Sequence, residues 1–69
     1  MPKFSPNLCC MLAKLNMQHM GLETRQRTVM HILERNGCSS SELLSHVEGN
    51  GSAKAKRNVR ALLASLERV

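Results

Sequence analysis

The stretch Ser52-Ala-Lys-Ala-Lys-Arg-Asn-Val-Arg-Ala-Leu-Leu-Ala-Ser-Leu-Glu-Arg-Val69 encodes a helix with two unlike sides. At about 100° per residue, Ala55, Val59, Leu62, Leu63 and Leu66 fall on one apolar stripe, spaced i, i+4, i+7, i+8. That side faces a core. Opposite it lie Lys54, Arg57, Ala61, Ala64 and Arg68, with Lys56, Asn58 and Arg60 on the flanks. Cations fill the first two turns and small side chains the centre, which suits close approach to a polyanion. The same residues would also serve as an ordinary solvated face.

Working outward, Gly49-Asn50-Gly51 breaks the chain just before this helix and Ser52 caps it. Before the break, Ser39-Ser-Ser-Glu42 fits a capping box. The Ser39 hydroxyl serves the N3 amide, Glu42 reaches back, and Cys38 and Leu43 are placed as a hydrophobic staple. Leu43, Leu44 and Val47 point inward from this third helix. The segment 22–36 reads as a second helix, with Thr24 as the expected cap, Gly37 as terminator and a stripe of Leu22, Val29, Ile32 and Leu33. Arg25 and Arg27 sit in its first turn, where the helix dipole disfavours cations. A nearby anionic partner would explain them, with Glu23 as a competing explanation.

A first helix is expected over about residues 6–20, capped by Ser5, opened by Pro6 and stopped by Gly21. Leu8, Met11, Leu12 and Leu15 repeat at i, i+3, i+4, i+7, and Cys9, Cys10, Met17 and Met20 widen the apolar surface. A 69-residue chain buries only about 60% of its surface and has little room to cover both sides of such a helix. Leu8, Met11, Leu12, Leu15, Met17 and Met20 are therefore the candidate dimerisation surface, and a homodimer is the expected state.

The chain holds one Phe and neither Tyr nor Trp, so its core must be aliphatic. It also lacks the aromatic platforms on which unpaired bases stack, which favours a duplex if nucleic acid is the partner. The net charge of +5 is local. Residues 52–69 hold five cations against Glu67, residues 21–51 hold three against four Glu, and the first 20 add only Lys3 and Lys14. Clustering on one element is the informative part.

Three Cys (Cys9, Cys10, Cys38) is an odd number, and the aliphatic content permits packing without disulfides, so free thiols in a reducing compartment are expected. Together with His19, His31 and His46 they show neither C-x2-C nor H-x3-H spacing, and no metal or other cofactor is expected. The apolar run 8–13 is too short for a signal core or a membrane span, so a cytoplasmic protein without a membrane role is expected. No nucleophile and base stand at a helical spacing that would join them, so an enzyme is not expected.

From Thr24 to Val69 the chain resembles the winged-helix branch of helix-turn-helix DNA-binding domains. The matching segments are Arg27-Thr-Val-Met-His-Ile-Leu-Glu-Arg-Asn-Gly37, Cys38-Ser-Ser-Ser-Glu-Leu-Leu44 and Val59-Arg-Ala-Leu-Leu-Ala-Ser-Leu-Glu67. Two departures stand out. Gly49-Asn50-Gly51-Ser52 implies a looser turn before the recognition helix than the family uses, and the chain stops at Val69, where the wing would begin.

The resulting expectation is a single all-α domain over residues 1–69, comprising an N-terminal packing or dimerisation helix within 1–21 and a wingless helix-turn-helix unit over 22–69. Its expected function is sequence-specific binding of double-stranded DNA as a small transcriptional regulator, with the basic helix 52–68 in the major groove. Lys54, Lys56 and Arg68 would contact phosphates, Arg57, Asn58 and Arg60 would face base edges, and Arg25, Arg27 and Ser40 would add contacts. The alternative is a helical adaptor or inhibitor that keeps the fold and engages an acidic protein partner.

Overall fold

The computed structural model describes residues 2–68. Among them stand four α-helices, α1 (Leu8–Lys14), α2 (Leu22–Asn36), α3 (Ser40–Asn50) and α4 (Ala53–Ser65), with a 3-10 turn at Met17–His19 and no strand. The chain is all-helical, and α4 is its centre: it packs against α1, α2 and α3, while no other pair of helices meets as extensively. Leu8, Leu12, Val29, Ile32, Leu43, Val47, Ala55, Val59 and Leu62 form a purely aliphatic core.

Helix α1 is shorter than the sequence period predicts. Its backbone turns extended at Leu15, and the Leu15 N–H closes back onto the Leu12 carbonyl. Ser5 does not cap it. Ser5 opens a turn in which its carbonyl accepts the Leu8 N–H and its hydroxyl the Asn7 N–H. Ahead of that turn the Lys3 N–H donates to the Asn36 carbonyl and the Ser5 N–H to Asn36 Oδ1, while Phe4 stacks on His46 with ring centroids 3.9 Å apart.

The limits of α2 agree with its pattern, but its N-cap is Gly21, and Thr24 lies inside the helix. Gly37 ends it at φ 57°, ψ 43°, a left-handed conformation that a Cβ would penalise. The capping box of α3 is complete, with Ser39 Oγ accepting from the Glu42 N–H and Glu42 Oε1 from the Ser39 N–H. Those bonds favour the ionised form and hold the Glu42 carboxyl below its ordinary range.

The connection from α3 to α4 is tight, not loose. α3 runs through Gly49 and Asn50, leaving Gly51 and Ser52 as the only link. A Cβ on Gly51 would lie 2.8 Å from the Val47 carbonyl oxygen and 3.0 Å from Val47 Cγ1, so only glycine admits this approach. Ser52 then caps α4 through the Ala55 N–H. At its other end α4 stops short of the expected 68, its last turn tightening into bonds from Leu66, Glu67 and Arg68 to residues three back. Val69 lies outside the described residues.

Candidate nucleic-acid interface

Three helices bury one side of α4, so its outward side becomes a ridge. Lys54, Arg57, Arg60 and Ala64 are exposed along it, and Arg68 follows in the turn beyond. A shallow groove lies on each side. The groove toward the N-terminal segment runs in two stretches that meet at Ala61. Lys14, Asn16, Gln18, Lys54 and Arg57 line the first, and Met20, Leu22, Arg25, Ala64 and Arg68 the second. No carboxylate side chain lines either stretch. The opposite groove, toward α3, is lined by Ser40, Leu44, Arg60, Leu63 and Glu67. Charge is therefore lopsided across the ridge, cationic on the α1 side and mixed on the α3 side.

The nine residues assigned to nucleic acid from sequence separate accordingly. Lys54, Arg57 and Arg68 share the cationic groove, and Lys56 lies half-buried on the other flank of α4. Arg60 is exposed on the ridge, and its Nη2 donates to Glu48 Oε2 at 2.6 Å. Ser40 is exposed at the α3 side. Arg27 stands on α2 and pairs with Glu23, the competing explanation for its place in the first turn, at 2.6 Å.

Two assignments are corrected. Asn58 is only 5% exposed, and its Nδ2 donates to the carbonyls of Leu12 (2.8 Å) and Leu15 (3.2 Å), so it cannot reach a base edge. Arg25 is engaged inside the chain by neutral backbone acceptors and has no ion-pair partner among the described residues. Its Nε donates to the Met20 carbonyl (2.9 Å) and its Nη2 to the Met17 carbonyl (2.7 Å). Both side chains bond carbonyls where α1 and the 3-10 turn end, adding a second donor at Leu12 and Met17. They fix the wall of the groove opposite α4.

The dimerisation surface is corrected too. Leu8 and Leu12 are buried in the chain's own core, and Leu15, Met17 and Met20 are half-buried against it. Of the six, only Met11, at 43%, remains exposed.

Sequence reasoning missed Lys14, Asn16 and Gln18, because their place opposite α4 depends on the early end of α1. It also missed Gln26, whose amide donates to the carbonyls of Ser65 (2.8 Å) and Arg68 (2.9 Å) and so seats the turn that carries Arg68. A signal existed for part of this. Asn58 is three residues after Ala55 and four before Leu62, a core position of the period; Arg25 holds the same relation to Leu22 and Val29, and Gln26 stands four after Leu22 and three before Val29.

The three thiols are unpaired. Cys10 is exposed, while burial pushes the thiols of Cys9 and Cys38 up, with the Glu42 charge adding to the rise at Cys38. Among the described residues no helix is long and apolar enough to cross a membrane. No protein-family model, curated protein or solved structure matches the chain.

Proposed function

We propose that the protein binds duplex DNA as a small transcriptional regulator, with α3, the Gly51-Ser52 turn and α4 acting as a helix-turn-helix unit. The outward ridge of α4 enters the major groove and the cationic groove beside it receives one phosphate backbone. The observation that supports this most is the acid-free lining of that groove, where Lys14, Lys54, Arg57 and Arg68 stand around Ala61 and Ala64. A helix about 10–12 Å across with its side chains matches a major groove about 12 Å wide. The small residues on the ridge let the backbone of α4 come close.

With Asn58 withdrawn, base reading rests on Arg57 and Arg60, and Arg60 must leave Glu48 to take part. The phosphate contacts then dominate affinity, and base discrimination is narrow and guanine-directed. Fluorescence anisotropy of a labelled mixed-sequence duplex, set against one of its separated strands, tests the reading. Tighter binding of the duplex is expected. Equal or tighter binding of the single strand contradicts a ridge that fits a groove.

A further inference from the structure

The second feature of the surface is a slot of about 440 Å³ between the N-terminal arm, α1 and α2. Its origin is readable in the chain. The arm is extended, so alternate side chains point opposite ways: Phe4 turns out to stack on His46, while Lys3 and Ser5 turn toward the slot. Leu8 and Met11 of α1, Leu15 just past its end and Ile32 of α2 make an apolar floor, and Thr28, His31 and Arg35 form the opposite wall. These last three recur at i, i+3 and i+7 on one face of α2, which makes the slot about 10 Å long, two turns of helix.

Its charge is cationic. The Lys3 backbone is bonded to Asn36, the chain neighbour of Arg35, and no carboxylate lines the slot. Among the described residues neither Lys3 nor Arg35 takes part in a salt bridge, unlike Arg27 and Arg60. Met11, the adaptable side chain in the floor, is the exposed one.

The geometry points to this slot as the docking site for an acidic amphipathic helix of a partner protein. Its apolar side chains at i, i+4 and i+7 would lie on Leu8, Met11, Leu15 and Ile32, and its carboxylates would pair with Lys3 and Arg35. A small anionic amphiphile is the competing occupant, and decanoate stands for it in the test. The site lies across α1 from the cationic groove and does not depend on the DNA reading.

The test uses two labelled model peptides with leucines at i, i+4 and i+7, one flanked by glutamates and the other by lysines at the same places. The glutamate peptide should bind the wild-type chain in the micromolar range and the lysine peptide should not. Arg35→Glu should weaken the glutamate peptide at least about tenfold and admit the lysine peptide, while Met11→Glu should weaken the glutamate peptide. Arg35 and Met11 are exposed, so both variants should fold, and the charge swap reads a gain as well as a loss. Lys54→Ala/Arg57→Ala should leave peptide binding unchanged. The proposal is overturned if the glutamate peptide fails to bind, if Met11→Glu leaves its affinity unchanged, or if decanoate binds in its place.

Discussion

The side-chain amide of Asn58 donates to the carbonyl oxygen of Leu12 at 2.8 Å, tying the middle of α4 to the end of α1. The same nitrogen reaches the Leu15 carbonyl, so one buried amide bonds two carbonyls at the end of the short first helix. Asn58→Ala should therefore cost about 1–3 kcal/mol, the penalty of stranding buried acceptors. Denaturant unfolding measures this. Duplex affinity at a temperature where the variant is folded should change little, and a loss of base preference without a loss of stability would return Asn58 to the base-reading set.

Gly51 is a second point where one atom decides local structure. Gly51→Ala sets a methyl group against the Val47 carbonyl oxygen and Cγ1, and against Ala55 Cβ at 3.2 Å. The nearest of these is backbone, so α3 and α4 must part. A loss of about 1–3 kcal/mol is expected, in line with overpacked interiors. A neutral substitution would mean that the turn is as loose as its Gly-Asn-Gly sequence implies.

These two positions show what the sequence made legible. Helix number, the limits of α2, the Ser39–Glu42 box and the Ser52 cap follow from local rules, because each depends on residues within one turn of each other. What escaped depends on partners far along the chain. Arg25, Gln26, Asn36 and Asn58 all occupy core positions of their helices, and a reading that sorts residues by polarity sends them to the surface. Each instead bonds backbone groups at chain ends or turns. Among the described residues no buried side-chain nitrogen or oxygen lacks a partner. The cationic groove was half legible: its α4 side stands in the helical period, and its Lys14 side follows only from where α1 stops.

The capping box supplies a pH-linked prediction. Because the Ser39 bonds lower the Glu42 pKa in the folded chain, the box contributes fully above the ordinary carboxylate range and loses its contribution as pH falls through the lowered value. Ser39→Ala should cost about 1 kcal/mol at neutral pH, a fall of several degrees in Tm for a chain this short. It should also move the Glu42 titration upward in a carboxyl NMR series. A Glu42 titration that stays in place would show that the hydroxyl does not hold the carboxylate.

Thiol chemistry should follow burial. Cys10 is exposed, whereas burial raises the pKa of Cys9 and Cys38 and so lowers their thiolate fraction at neutral pH. Under native conditions a disulfide reagent should modify Cys10 first, with Cys9 and Cys38 following slowly, and all three should react together once the chain is denatured. Equal native rates for the three would contradict the placement of Cys9 and Cys38.

The most direct measurement is the salt dependence of duplex binding for the wild-type chain, for Lys54→Ala/Arg57→Ala and for Lys14→Ala. Each phosphate contact contributes a slope of roughly −0.9 in log K against log salt. The double variant should flatten the slope by about one to two units, and by one if Arg57 reads a base, while Lys14→Ala should flatten it by about one unit. All three residues are exposed, so stability should move by no more than about 0.5 kcal/mol. Arg27→Ala, which breaks a pair on α2, should leave the slope in place. Wild-type binding that ignores salt, or slopes that survive loss of Lys14, Lys54 and Arg57, would contradict the cationic groove as a DNA site.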